Sequence, residues 1–336
     1  MINRQTKILT IHIGLPKTGT TTLQRQAFPL IEGYLGGTES LGGSNRLPAE
    51  MLHLYQSKGS LQDWGTIDWE DTARSWWASA QQWPQGELLL SLEGLYRWPD
   101  PKTGYPWPLM GQGKESNSSR TGTHPIVEFI DRLRDIFDHC QIRVLVTFRN
   151  QADFLASLYA QLSYRMPSPN QNDFDDKVKD LLARRDPFLD WGGLTQGLSQ
   201  VVGQQNLKVC IFEDGLPTVL QDMAEFVAPR LSQPLKVERL NQRASQDGGW
   251  SVTTTPFASS RGFINQVWPP SRMPRSRQLL LRPIAGLLSR FAVQQTLDAK
   301  TIMLEPAITR DIRETYRQST DYLSGVLEKD LREFGY

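Results

Sequence analysis

Residues 7–28 narrow the choice of fold more than any other part of this chain, because an apolar strand pattern passes into an amphipathic helix pattern through a short loop of glycine and threonine. The run Lys7–Ile13 places Ile and Leu around Thr10 and His12, which suits a buried strand. Gly14-Leu15-Pro16-Lys17-Thr18-Gly19 supplies the turn, and Leu23, Ala27 and Phe28 carry an apolar stripe over 20–28. A helix starting at Thr20 points its first backbone N–H groups and the positive end of its dipole into the loop. Thr20, Thr21, Thr22 and Lys17 stand beside them, so the unit is an anion cradle.

The cradle differs from the nucleotide-triphosphate P-loop, in which a lysine directly follows the second glycine and reaches the β- and γ-phosphates. Here Thr20 occupies that place and the cation is Lys17, inside the loop. This position suits a 5′-phosphate whose leaving bond lies beside the loop. A second strand pattern, 143–148, runs directly into Arg149-Asn150-Gln151-Ala152-Asp153-Phe154-Leu155-Ala156-Ser157-Leu158-Tyr159. Arg149 at the strand end offers a planar fork of donors to a phosphate, and Ser157 adds a hydroxyl two helical turns later.

The two segments together resemble the cofactor-binding motifs of sulfotransferases, which use 3′-phosphoadenosine 5′-phosphosulfate (PAPS). Pro16-Lys17-Thr18-Gly19-Thr20-Thr21-Thr22 resembles the 5′-phosphosulfate loop, and Arg149 to Tyr159 resembles the R-N-P-x-D-x-x-x-S-x-Y segment. Gln151 stands where that segment usually has proline, and no R-K-G-x-x-G segment is evident. The resemblance implies that Lys17, Thr18, Gly19, Thr20, Thr21 and Thr22 hold the 5′-phosphosulfate while Arg149 and Ser157 hold the 3′-phosphate. It further implies transfer of a sulfuryl group from PAPS to a hydroxyl or amine, with no metal. Such a transfer needs a base for the acceptor's proton and a cation for the leaving phosphate. Lys17 is the candidate cation. Glu93, at the carboxyl end of the strand pattern Glu87–Leu92, is the candidate base, with Glu39 as rival. A nucleotide kinase, or a non-catalytic nucleotide- or glycan-binding relative, is the alternative.

Apolar runs alternate with helical patterns, which predicts an α/β, P-loop-like three-layer fold with a central, mostly parallel sheet flanked by helices. Strands are expected at 7–13, 87–92, 143–148 and 207–212, and helices at 68–82, 125–137, 152–163, 174–184, 217–227 and 308–333. Leu155, Leu158, Tyr159 and Leu162 form a stripe that must face the sheet. We expect one domain over 1–336, with long Pro/Gly/Ser-rich loops at about 99–125 and 245–274. Arg261, Arg272, Arg275 and Arg277 lie in or near the second of these.

The charge balance, 37 Lys and Arg against 36 Asp and Glu, argues against nucleic acid or an anionic membrane as partner. Cys140 and Cys210 read as reduced, partly buried thiols, and no apolar stretch reaches spanning length; the expected location is cytoplasmic. Trp64, Trp69, Trp76, Trp77, Trp83, Trp98 and Trp107 crowd one part of the chain, and their faces lean the acceptor toward a carbohydrate or glycolipid. His12 is expected to be a satisfied core group, and Asp214 in the Phe-Glu-Asp-Gly turn to cap the following helix.

Overall fold

A computed structural model describes residues 7–31, 34–35, 87–92, 124–137, 140–163, 166, 168–227, 249–252 and 301–336. The expected helix 68–82, the tryptophan-rich stretch, the bulk of both long loops with their arginines, Glu39 and Glu93 lie outside these residues.

Five strands form one sheet: β1 (Lys7–Ile13), β2 (Tyr34–Leu35), β3 (Glu87–Leu92), β4 (Cys140–Phe148) and β5 (Leu207–Ile211). Their order is β2-β3-β1-β4-β5 and every pairing is parallel. Among the described residues a second, two-stranded antiparallel pair joins β6 (Trp250–Ser251) to β7 (Thr301–Ile302). The helices are α1 (Thr20–Thr22), α2 (Pro125–Ile136), α3 (Gln151–Leu162), α4 (Gln171–Ala183), α5 (Trp191–Val202), α6 (Leu216–Val227), α7 (Pro306–Thr315) and α8 (Arg317–Leu327).

The period-two alternation of strand side chains divides the core between the two faces of the sheet. Leu9, Ile11 and Ile13 of β1 with Val144, Val146 and Phe148 of β4 pack against α2, α3 and α5. Leu89, Leu145 and Cys210 belong to the opposite face, with Leu23 and Phe28 behind the first loop and Leu216, Val219 and Met223 of α6. This is a three-layer α/β architecture, as the alternation of patterns requires. The stripe Leu155, Leu158, Tyr159 and Leu162 is fully buried, each residue at 2% exposure or less.

β1 lies between β3 and β4, so the chain places β2 and β3 on one side of β1 and then β4 and β5 on the other. Open parallel sheets bind ligands at the carboxyl ends of the strands where this reversal occurs. Ile13 is level with Val146 in the register, which brings the loop after β1 beside the one after β4.

Several expected boundaries change. The helix after β1 is α-helical only over α1, then widens to a π-helix at Leu23–Ala27 and tightens to a 3₁₀ turn at Phe28–Leu30, where Pro29 cannot donate a backbone bond. The pattern at 308–333 divides into α7, α8 and a 3₁₀ turn at Leu331–Phe334. Tyr316 leaves helical geometry between α7 and α8, at φ −106° and ψ 18°, and its hydroxyl donates to the Asp186 carbonyl at 2.9 Å. β4 starts three residues before the expected 143, at Cys140, and Phe212 closes β5 by opening a 3₁₀ turn, Phe212–Asp214.

Helix α5 carries no clear sequence signal, since Gly192, Gly193 and Gly197 each disfavour a helix by about 1 kcal/mol relative to alanine. The glycines permit close packing instead. A Cβ on Gly197 would come within 2.8 Å of Val127 in α2, and one on Gly192 would collide with the backbone of Ser319 in α8.

Candidate functional site

The loop after β1 is held from inside. Leu15 is fully buried, and its carbonyl accepts from the hydroxyls of both Thr18, at 2.8 Å, and Thr20, at 2.9 Å. These two hydroxyls therefore shape the loop, and what they can offer an anion is their backbone N–H groups. Thr21 is half-buried in the first helical turn. Lys17 has a φ of 68°, a left-handed conformation that costs a residue with a side chain about 1–2 kcal/mol. Gly19 follows at φ 81°, with Leu216 Cδ1 and Phe212 Cε2 only 3.4 and 3.6 Å from where a Cβ would stand. The end of β5 and the start of α6 thus form the wall behind the loop.

The loop after β4 meets it. The Arg149 guanidinium donates through Nη1 to the Lys17 carbonyl at 3.4 Å and lies over the Phe212 ring, 5.2 Å from its centroid. Its Nη2 makes a loose 3.7 Å pair with Asp153. The side chain is 17% exposed, and its Nε–H is buried with no acceptor among the described residues. A buried charged donor without an acceptor is costly and marks a place where an anion would be welcome.

The Arg149–Asn150 peptide group is fixed at both ends. The Trp191 indole N–H donates to the Arg149 carbonyl at 3.0 Å, and the Asn150 N–H donates to Glu213 Oε1 at 2.9 Å. Asn150 Oδ1 accepts from the Asp153 N–H at 2.9 Å and so caps α3, while its Nδ2 donates to Glu213 Oε1 at 3.1 Å. Glu213 Oε2 accepts from the Tyr336 hydroxyl at 3.0 Å. Burial raises the Glu213 carboxyl above its ordinary pKa, against the Asn150 N–H, the Tyr336 hydroxyl and the Arg149 charge, which favour the ionised form. Tyr336 is pushed further above its ordinary value by burial and by the neighbouring Glu213.

The Glu213-Asp214 pair is not a helix cap, contrary to expectation. Asp214 pairs with Lys329 at 2.6 Å, and Gly215 supplies the carbonyl that begins α6. Gln151, in the place of the usual proline, is buried as the first residue of α3 and donates to the Leu189 carbonyl at 3.4 Å. Ser157 is buried in α3, at 8% exposure.

Beneath the loop, on the α1 face of the sheet, His12 Nδ1 pairs with Ser91 Oγ at 2.8 Å, and Gln24 Nε2 donates to the same hydroxyl at 2.9 Å. The ring meets Phe28 edge-on at 5.0 Å. Burial drives the His12 pKa down to about 3, so the ring is neutral. Its Nε2 finds no partner among the described residues, which leaves the expected satisfied histidine satisfied on one side only. Cys210 is buried, and burial raises its thiol to about 12.

Lys17, Thr18 and Gly19 in the loop and Thr20, Thr21 and Thr22 in α1 thus form one continuous segment, and Arg149 reaches it from the end of the neighbouring strand β4. Trp191, Glu213 and Tyr336 were not singled out as site residues by sequence, since each approaches through long-range contacts. Among the described residues no group of three or more His, Cys, Asp or Glu could hold a metal ion, and no helix is long and apolar enough to cross a membrane.

No protein-family model and no curated protein sequence matches the chain. Among solved structures it is similar to a sulfotransferase from Alicyclobacillus acidocaldarius, over 99% of both chains, at 13% identity and a TM-score of 0.44. At that level of likeness, any functional reading rests on the two converging loops themselves.

Proposed function

We propose that the chain is a sulfotransferase that binds PAPS across the ends of β1 and β4 and passes its sulfuryl group to a hydroxyl or amine, with carbohydrate or glycolipid as the favoured acceptor class. The observation that carries this reading is the Arg149 guanidinium bonded to the Lys17 carbonyl at 3.4 Å, with its Nε–H buried and without an acceptor among the described residues. A donor so placed fits a phosphate held beside, rather than inside, the first loop. The left-handed Lys17 is consistent with a functional constraint on the loop, because strained backbone gathers at ligand-binding sites.

When bound, PAPS supplies the sulfuryl group and leaves as 3′-phosphoadenosine 5′-phosphate. The loop N–H groups of residues 17–22 bind the 5′-phosphosulfate, and Thr21 adds its hydroxyl. Lys17 steadies charge on the departing phosphate oxygen, while Arg149 and Ser157 bind the 3′-phosphate. Glu93 takes the proton from the acceptor; it lies outside the described residues, just past the end of β3 in sequence. A lysine after the second glycine, which a triphosphate-binding kinase uses, is absent here.

Calorimetric titration with 3′-phosphoadenosine 5′-phosphate, AMP and ATP with magnesium tests the nucleotide half. Two charge-assisted bonds to the 3′-phosphate, at about 1.5–3 kcal/mol each, predict at least a tenfold preference over AMP. Equal or tighter binding of ATP would sink the reading. Glu93→Gln tests the chemistry: transfer should fall by about two to four orders of magnitude with nucleotide affinity retained.

A further inference from the structure

The Arg149–Asn150 peptide group is bound from two sides, and one side depends on a residue far along the chain. Glu213 bridges Asn150, through both its backbone N–H and its side-chain amide, to the Tyr336 hydroxyl. Tyr336 is 3% exposed and Asn150 7% exposed, so both ends of the bridge are buried, while Glu213 itself is half-buried. The segment that delivers Tyr336 is itself anchored. The Tyr336 N–H donates to the Leu331 carbonyl at 3.2 Å, and Arg313 Nε of α7 donates to the Gly335 carbonyl at 3.0 Å. Gly335 turns at φ 88°, and a Cβ there would lie 3.8 Å from Asn150 Nδ2. Lys329, pairing with Asp214, ties the same segment to the turn that carries Glu213.

We propose that Tyr336 is a positioning residue for the 3′-phosphate site, acting through Glu213 and Asn150 on Arg149. It touches neither loop nor nucleotide in this scheme. Glu213 is half-buried, and a carboxylate with one oxygen on Asn150 holds that contact in a fixed orientation when its second oxygen also has a fixed donor, which Tyr336 supplies. Without the hydroxyl, Glu213 must find water or another donor, and the peptide that aims the Arg149 fork loses its fixed partner. Arginine's bidentate contacts depend on such orientation more than a point charge would. The inference rests on the PAPS reading, because it concerns the residue assigned to the 3′-phosphate.

The test is the ratio of affinities for 3′-phosphoadenosine 5′-phosphate and AMP, measured by calorimetry on the full chain. Tyr336→Phe should reduce this ratio by about three- to tenfold while changing AMP affinity less than about twofold. Glu213→Met, which removes the carboxylate without stranding a charge, should lower the ratio similarly and serves if Tyr336→Phe does not fold. Glu213→Gln keeps an oxygen for Asn150 and an amide for Tyr336, and should hold the ratio within about threefold of wild type. An unchanged ratio in Tyr336→Phe or Glu213→Met, or equal weakening for both nucleotides, overturns the positioning role. A wild-type chain with no preference for the 3′-phosphorylated nucleotide overturns the underlying reading instead, so the two failures are distinguishable.

Discussion

Trp191 donates its indole N–H to the Arg149 carbonyl at 3.0 Å while its ring stacks on Phe148, 5.1 Å between centroids and 15° from parallel. One side chain thus packs against the last residue of β4 and fixes the first peptide beyond it. Trp191→Phe keeps much of the stacking and removes the donor. The expected loss is about 1–2 kcal/mol of unfolding free energy, with weaker binding of 3′-phosphoadenosine 5′-phosphate, read by urea unfolding and calorimetry.

Arg149→Lys should be nearly as damaging as Arg149→Ala. Lysine keeps a charge but neither the fork nor the planar face that lies over Phe212. Both variants are expected to lose most of the preference for the 3′-phosphorylated nucleotide, at least about tenfold, in the same titrations. A lysine variant with wild-type discrimination would assign the site a point charge rather than a fork.

Lys17→Gly separates strain from function. Glycine adopts the observed φ of 68° without steric cost, so thermal stability should hold or rise by up to about 1 kcal/mol. Transfer should nevertheless collapse, because the cation beside the leaving phosphate is gone. Parallel melting curves and sulfate-transfer assays give the comparison.

The threonines of the loop should divide by role. Thr18→Val leaves the Leu15 carbonyl one donor short and is expected to cost about 1 kcal/mol of stability. Thr21→Val should leave stability within about 0.5 kcal/mol and weaken nucleotide binding instead. Denaturant midpoints and calorimetry on the two variants check the division.

His12 sets part of the acid response. Its folded pKa of about 3 lies below the 6.5 of a free imidazole, so between those values the unfolded chain binds the extra proton. Stability therefore falls as pH drops through 6.5 toward 3, by at most about 1.4 kcal/mol per pH unit from this group. His124, lowered to about 4 by burial, adds the same sign of dependence in wild type and variant alike. Urea unfolding at pH 7 and pH 5 should show a shallower acid loss for His12→Gln than for wild type.

How much of this was readable from sequence follows chain separation. The loop after β1 and the Arg149 to Ser157 segment are local patterns, each a strand running into a helix within about a dozen residues, so composition and spacing reveal them. Trp191 lies 42 residues from Arg149, Glu213 63 from Asn150 and Tyr336 123 from Glu213. Nothing local marks such pairs. Asp214 invited a local explanation as the cap of α6, and the fold assigned it Lys329 as a distant partner instead. The inward bonds of Thr18 and Thr20 were equally hidden, since a hydroxyl bonded to its own loop and one presented to a ligand read the same in sequence. Helix α5 was missed because its glycines speak for packing against Val127 and Ser319, which only the tertiary fold supplies.

Ser91 accepts from Gln24 and pairs with His12, so one hydroxyl on β3 ties together the helical segment behind the first loop and the strand that leads to it. Sliding β3 against β1, or rotating that helical segment, would strip partners from His12 and Ser91, whose side chains are fully closed to water. The two strands and the segment are therefore locked in phase before any ligand arrives, and the footing of the first loop on β1 and β3 is a property of the resting protein.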